Sequence, residues 1–234
     1  MRDYRTIFRS VLNLMLCNPS VRQLKLDFER AIWSAATDVL PHVQLSGCSF
    51  HWSQAVWRKV QELGYQPLYF QNNHLRKFLR RLLSLPYLPD HEIAGAFFHL
   101  QQKPAAARVR DLMEYVECTW VESSLWPPRC WSVFDQPIRT NNDVEGWHHS
   151  LNRRASGKSQ LPFYVLVKLL QKEAVLVAVQ VRLVSERKLK RVQRRKYRQL
   201  QAKLFDLWQA YEDEQSADSL LKACAHLCNA PRME

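Results

Sequence analysis

The spacing of hydrophobic and polar positions divides the chain into a short N-terminal segment of mixed character and a much longer helical remainder. In residues 1–48, apolar side chains recur at helical intervals, then at every second position, and this alternation is repeated once. The pattern indicates a piece of an α/β sheet. The predicted elements are a helix over 4–16, a strand over Val21–Leu26 that ends at Asp27, a helix over Phe28–Leu40 and a strand over Val43–Leu45.

The rest of the chain predicts helices almost throughout. Residues 49–130 form a predicted helical insertion with proline-containing connections, residues 131–160 lead back to a helix that bears Glu145, and residues 161–234 predict long C-terminal helices. The expected fold class is therefore mainly α with a small α/β part. The predicted helices cover 50–63, 75–85, 92–100 and 105–121, a segment ending near Asn152, one or two helices over 161–211, and 217–228.

Composition indicates a globular protein with a basic surface. Hydrophobic residues make up 47% of the 234 residues, and 34 Lys and Arg against 22 Asp and Glu give a formal charge of +12. Such a surplus favours a polyanion such as nucleic acid. We expect neither a secretory signal nor a membrane span, because charged residues interrupt the longest apolar region, Leu161 to Val184. Six scattered cysteines predict reduced thiols in the nucleus, with the cytosol as the alternative.

The stretch that begins at Thr140 combines a helix start with one acid among groups that bind metal or phosphate. Thr140 and the three residues after it are good N-cap residues, so Glu145 is expected in the first turn of a helix. Glu145, His148, His149 and Asn152 then share one helix face. An acid among imidazoles and amides can hold a hard cation or transfer a proton. The alternative is a surface helix whose glutamate stabilises the positive end of the helix dipole.

Two pairs of cysteine and histidine have spacings that occur in metal sites. Cys48 and His51 are separated by two residues, but no second pair stands at a matching distance, so a structural zinc site is disfavoured. A packed thiol, with His51 orienting a neighbouring group, is the preferred interpretation. Cys224 and Cys228 flank His226 one helical turn apart and are interpreted as core cysteines.

A strongly basic segment lies in the C-terminal third of the chain. From Arg182 to Lys203, ten Lys or Arg stand against one acid, Glu186. Two interpretations remain open: a solvated face of a basic protein, or a contact with DNA whose affinity falls steeply with salt. The residues expected to contact DNA phosphates are Arg139, Arg187, Lys188, Lys190, Arg191, Arg194, Arg195 and Lys196.

Three motifs, taken in order, resemble those of the Mutator-like element (MULE) transposases. The stretch from Val21 to Glu29 is similar to the strand and Asp-x-Glu of that family, and Cys48-x-x-His51 is similar to its Cys-x-x-His motif. The stretch from Arg139 to Glu145 is similar to its Thr-Asn-x-x-Glu. The similarity covers most of residues 20–155 and implies part of a ribonuclease H-like fold, with about two short strands retained and a helical insertion.

The resemblance also implies roles for particular residues. Asp27 would be the second catalytic carboxylate of the family and Glu145 the third, and together they would hold Mg²⁺ or Mn²⁺ for phosphoryl transfer on DNA. Cys48, His51 and His148 would support the site, and many family members have Asn at the position of His148. The implied partners are DNA and either a second copy of this chain or a full-length transposase.

The first catalytic aspartate of the family has no counterpart in this chain. It belongs on a strand well upstream of the second acid, whereas only 26 residues precede Asp27, and Asp3 is the only acid among them. We therefore expect an N-terminally truncated, transposase-derived protein without strand-transfer activity of its own. Two alternatives stay open. One is a domesticated nuclear protein that binds DNA or regulates without enzyme activity, and the other is a helical interaction protein that binds RNA or an acidic partner.

Overall fold

The computed structural model describes residues 2–15, 19–140, 142–157, 160–188 and 195–227. The predicted fold class, mainly α-helical with a small α/β part, is confirmed. The strands are β1 (Gln23–Leu26) and β2 (Gln44–Gly47). The helices are α1 (Arg2–Leu14), α2 (Arg30–Val39), α3 (Ser49–Glu62), α4 (Gln66–Gln71), α5 (Asn73–Leu82), α6 (Asp90–Gln101), α7 (Arg110–Val116), α8 (Pro128–Trp131), α9 (Asn142–Arg154), α10 (Phe163–Ser185), α11 (Arg195–Glu214) and α12 (Ala217–Leu227).

The chain divides into two compact units. The larger unit comprises Met1–Thr140 and Leu200–Glu234, and the smaller unit comprises Asn141–Gln199. The sequence predicted one or two helices over residues 161–211, and the structure has two, α10 and α11. Among the described residues, no helix combines the length and apolar composition that crossing a bilayer requires.

The two strands of the larger unit pair in parallel, with Leu26 opposite Gly47. Helix α2 connects them and packs Trp33 and Ala36 against Leu26 in a small buried cluster. The amide of Cys48 donates to the carbonyl of Leu26 at 3.1 Å, which extends the pairing by one residue. Because parallel strands run in the same direction, the residues that follow β1 and β2 emerge at the same edge.

Helix α1 packs along α2 and is fixed by polar contacts. The hydroxyl of Tyr4 donates to Glu29 at 2.8 Å, and Arg5 forms an ion pair with Asp38. Phe8 packs against the small buried cluster. Three apolar side chains of α1 remain exposed, Ile7, Val11 and Leu14, as does Met15 directly after the helix.

A second and much larger core lies within the helical block. Helices α3, α5, α6, α7, α11 and α12 contribute buried apolar side chains to one cluster. In α11, the indole N–H of Trp208 donates to the carbonyl of Tyr87 at 2.9 Å, and the hydroxyl of Tyr211 donates to Glu92 at 3.2 Å. These bonds satisfy the polar ends of aromatic side chains whose rings fill the core.

An aromatic cluster joins the two cores. Its members are Phe28, Trp33, Trp52, Trp120, Trp126 and Trp131. The Phe28 ring meets Trp120 edge-on at 4.7 Å between centroids and packs against both buried clusters. A single π turn over Glu117–Val121 follows α7 and carries Trp120 to this position. The indole N–H of Trp131 donates to the carbonyl of Trp126 at 3.1 Å, which fixes the far side of the cluster.

Replacing Gly47 with alanine tests this packing. A Cβ at Gly47 would overlap the ring of Phe28, which the other rings hold in place. We expect Gly47→Ala to lower the free energy of unfolding by about 1–3 kcal/mol, the usual cost of overpacking. The measurement is urea denaturation followed by circular dichroism.

Gly95 provides a matched control for the same substitution. It lies in α6, is exposed, and would have nothing within 4 Å of an added Cβ. Gly95→Ala should therefore raise the free energy of unfolding by about 0.5–1 kcal/mol, because alanine is the better helix former. Equal effects of the two substitutions would contradict the close contact at Gly47.

Candidate functional site

The candidate site of the larger unit lies where the two parallel strands end. Asp27 directly follows β1, and Cys48 follows β2 and precedes α3. His51 is in the first turn of α3, and its Nδ1 lies 2.7 Å from Oδ1 of Asp27. The Asp27 side chain is 56% exposed and that of His51 is 22% exposed, so solvent reaches the carboxylate. The structure thus brings the predicted Asp27 and His51 into direct contact.

The backbone around Asp27 is also held in place. Its carbonyl accepts the indole N–H of Trp33 at 2.7 Å and the amide of Glu29 at 2.8 Å. Cys48 is fully buried, in agreement with a packed thiol. These contacts leave the carboxylate as the exposed group of an otherwise fixed residue, as expected for a binding or catalytic side chain at a strand end.

A half-buried lysine beneath the site was not recognised in the sequence. The ammonium of Lys25 donates to Ser46 Oγ at 2.8 Å, and to the carbonyl of Gly47 and Oε1 of Gln136 at 3.3 Å each. Burial lowers the pKa of Lys25 from 10.5 to about 8, and an electrostatic interaction with Cys48 opposes this shift. Strand alternation marks Lys25 as a polar position, but its contact with Gln136 depends on a segment 111 residues away in the chain.

The segment that leads to Thr140 is anchored beside the strand ends. The amide and hydroxyl of Ser49 both donate to the carbonyl of Arg139, at 3.1 and 3.0 Å. The guanidinium of Arg139 lies over the ring of Trp208, 6.0 Å from its centroid. Arg139 is half-buried, and this cation–π contact within the larger unit engages the side chain that was predicted to contact DNA.

Glu145 lies in the first turn of α9, as predicted, and belongs to the smaller unit. Glu145 is half-buried, whereas His148 and His149 on the same face are exposed. Glu145 and Asp27 thus belong to different units. The local prediction of a helix start is confirmed for Glu145.

A buried acid in the smaller unit was missed by sequence reasoning. Glu173 of α10 is 5% exposed, pairs with Arg154 of α9 and accepts the indole N–H of Trp147 at 3.3 Å. Neither buried hydrophobic cluster includes a described residue between 142 and 188. The polar contacts of Glu173 therefore hold α9, and with it Glu145, against α10. In the sequence, Glu173 was noted only as one of the charged residues that interrupt the apolar region from Leu161 to Val184.

The predicted basic segment is described only in part. Arg187 and Lys188 follow α10 and are exposed, and Lys188 Nζ lies 2.8 Å from Glu186. The hydrogen bonds from Lys188 and then Arg182 hold the pKa of Glu186 below its ordinary value. Arg195 and Lys196 begin α11. Three further predicted contacts, Lys190, Arg191 and Arg194, lie outside the described residues.

Of the two cysteines predicted to pack in the core, Cys224 is buried, and Cys228 lies outside the described residues.

The residues around Asp27 do not by themselves fit a magnesium or manganese ion. Within the described parts of the chain, no group of three or more His, Cys, Asp and Glu side chains is arranged to hold a metal. Magnesium requires near-octahedral oxygen coordination, whereas one oxygen of Asp27 faces the His51 imidazole nitrogen. We therefore assign no metal-dependent step to the larger unit alone.

Removing the Lys25 ammonium tests the electrostatics beneath the site. Because the pKa of Lys25 is lowered to about 8 in the folded chain, the unfolded chain binds more protons between pH 8 and 10.5. Stability contributed at this position should therefore rise with pH across that window. The free energy of unfolding of the wild type, relative to that of Lys25→Met, should rise by about 1–2 kcal/mol from pH 7.5 to 10.5. This value allows for the partial exposure of Lys25.

Urea unfolding of both proteins at pH 7.5, 9 and 10.5 measures this difference. Other titrating groups are common to the two chains and cancel in the comparison. A difference that stays constant with pH would show that the Lys25 ammonium keeps its ordinary pKa in the fold.

Comparison with known proteins adds no relative to this description. No protein-family model, no curated protein and no solved structure matches the chain. The resemblance to the MULE transposases therefore depends on this chain's own residues.

Proposed function

We propose that this chain is a transposase-derived, DNA-binding protein of the MULE type that does not transfer DNA strands on its own. The observation that carries the proposal is the contact between Asp27 and His51 at the end of the parallel strand pair, 2.7 Å apart. A carboxylate at the end of a parallel strand, with a polar partner from the helix that follows the next strand, is consistent with the second acid and the Cys-x-x-His motif of the resemblance. Strand ends of α/β folds commonly present catalytic groups in this way.

The two strands and the helix between them are compatible with a part of a ribonuclease H-like fold. Strand β1, helix α2 and strand β2 form a parallel crossover, and the helical block follows as an insertion before Glu145. The only acid before Asp27 is Asp3, which lies in α1 and not on a strand. Residues 1–26 therefore offer no acid on a strand that corresponds to the first aspartate of the proposed family pattern, and Asp27 and Glu145 would supply two of its three metal-binding carboxylates.

DNA is the proposed partner because positive charge exceeds what solubility requires. The formal charge is +12. Arg187 and Lys188 are exposed at the start of the segment in which most of the predicted phosphate contacts lie. Binding through such a segment would depend on phosphates and not on base sequence. A nuclear location would follow from this partner.

A second candidate function, self-association, is favoured by α10. Eleven large apolar side chains of this 23-residue helix are exposed, including Val175 at 65% and Val179 at 51%. An apolar surface of this extent is unusual unless another protein surface covers it. A second copy of the chain is the occupant we propose.

The DNA-binding proposal predicts which charges matter. The triple variant Lys188→Glu, Arg191→Glu and Arg195→Glu, called the segment variant, should weaken binding to a fluorescein-labelled duplex about tenfold or more. It should also reduce the salt dependence, because each lost phosphate contact removes about 0.9 from the slope of log K against log salt. The measurement is fluorescence anisotropy over a series of salt concentrations in EDTA.

The two carboxylates predicted from the sequence, one in each unit, serve as the comparison. Asp27→Asn and Glu145→Gln should leave duplex affinity within about twofold of the wild type, since neither removes a phosphate contact. Divalent-dependent nicking of supercoiled DNA that disappears in Glu145→Gln would overturn the proposal that the chain is inactive alone. No binding by the wild type at low salt would overturn the proposal of DNA binding.

Self-association predicts a concentration-dependent mass. In sedimentation equilibrium, the wild type should approach a dimer, and the double variant Val175→Lys and Val179→Lys should stay monomeric because it places charge in the apolar surface. The matched control is Gln171→Lys with Gln180→Lys, which adds the same charge at exposed polar positions of the same helix. A wild type that is monomeric throughout would exclude this function.

A further inference from the structure

Helix α5 has an apolar face and, opposite to it, a face that carries only basic side chains. Its apolar side chains, Leu75, Phe78, Leu79 and Leu82, are all buried in the large core. The opposite side carries every charge of the helix and contains no acid. We call this the α5 basic face. It consists of His74, Arg76, Lys77, Arg80 and Arg81.

The helix that carries the α5 basic face is anchored at both ends. Asn72 accepts the amide of Leu75 at 3.0 Å and so fixes the start of the helix. Near the end, the guanidinium of Arg80 donates to the carbonyl of His226 in α12 at 2.7 Å. The core anchors the helix from below. The cations are thus presented from a fixed scaffold, which reduces the entropy lost when a ligand binds.

Three cations of this face form no ion pair with a carboxylate of the described chain. Among the described residues, no carboxylate forms an ion pair with Arg76, Lys77 or Arg81. Asp218 is the one acid on α12, which packs against α5, and it pairs with Lys222. The electrostatic effect of Arg81 reaches Asp218 and helps to hold its pKa below the ordinary value, after the larger effect of Lys222.

The spacing of the cations is unfavourable for the helix itself. Arg76 and Arg80, and likewise Lys77 and Arg81, are four residues apart, where like charges repel. No acid in the first turn offsets this repulsion. A bound anion on this face would offset the repulsion between such like-charge pairs.

The chemistry of the face favours the phosphate backbone of a nucleic acid over a membrane surface. A helix that lies on a bilayer needs an exposed apolar face, whereas the apolar side chains of α5 are at most 5% exposed. Three of its four permanent cations are Arg, whose planar guanidinium forms paired hydrogen bonds with phosphate.

We propose that the α5 basic face is a second DNA-binding surface, located on the larger unit and contacting the phosphates of duplex DNA. The proposal deepens the DNA-binding function proposed above and rests on it. It assigns phosphate contacts to a part of the helical insertion that the motif comparison leaves without a role. Binding there is independent of base sequence, because only backbone contacts are involved.

The test compares three full-chain variants with equal changes in net charge. The α5 variant carries Arg76→Glu, Lys77→Glu and Arg81→Glu, and it omits Arg80 because that side chain bonds α12. The second is the segment variant defined above. The third, a scattered control, changes exposed cations on three other helices, namely Arg9→Glu, Arg58→Glu and Arg110→Glu. Each is titrated into the labelled random-sequence duplex over a series of salt concentrations.

The α5 variant should bind at least about tenfold more weakly than the wild type, and its salt slope should fall by about two to three. The scattered control measures the effect of net charge alone and should lose much less. Circular dichroism and thermal unfolding verify folding. If the reversal variant does not fold, the neutral variant Arg76→Gln, Lys77→Gln and Arg81→Gln takes its place.

The outcomes separate this inference from the proposed function. If only the segment variant loses affinity, the α5 surface is excluded and DNA binding through the basic segment stands. Equal losses in the α5 variant and the scattered control also exclude the surface. If the α5 variant loses affinity and the segment variant does not, the inference stands and the assignment of the segment is wrong. A wild-type chain that binds no duplex at low salt overturns both.

Discussion

The packing of the Phe28 ring is the constraint on which the larger unit depends. Phe28 directly follows Asp27, and its ring meets Trp120 at 4.7 Å and Trp126 at 5.6 Å while contacting both buried clusters. Because the ring also occupies the space beside Gly47, β2 can approach β1 only without a side chain there. One aromatic residue thus couples the strand pair to the helical block and sets the position from which Asp27 projects.

The local elements could be predicted well because their patterns are local. Alternation predicted β1 and β2, and the parallel geometry of the strands accounts for the meeting of Asp27 and His51. Helix α4 was missed because Pro67 was taken as a connection, although proline is tolerated in the first turn of a helix. The single helix predicted over 105–121 is instead a 3₁₀ turn, α7 and a π turn. The π turn places Trp120 against Phe28, which is far away in the chain. The periodicity of apolar residues along one helix does not reveal such a contact.

Lys25 and Glu173 could not be recognised from the sequence because their contacts also join segments that are far apart in the chain. Lys25 meets Gln136 only because the chain returns to the strand pair after the helical block, where Ser49 binds the carbonyl of Arg139. Burial of Glu173 similarly depends on α9 placing Trp147 and Arg154 beside it. Spacing along one helix identifies a face, but it does not identify what covers that face. Residues that connect distant segments are therefore found only in the folded structure.

The ion pair of Glu173 and Arg154 has a consequence for how this sequence can change during evolution. The Glu173 side chain is 7% exposed and that of Arg154 is 41% exposed, so loss of Arg154 would leave a buried charge without its ion pair, whereas loss of Glu173 would leave an arginine that solvent reaches. Loss of Arg154 alone would also release the helix that bears Glu145. A lineage can therefore replace Arg154 at low cost only if Glu173 is replaced with it or before it, so sequences with an acid at position 173 are expected to keep a cation at position 154.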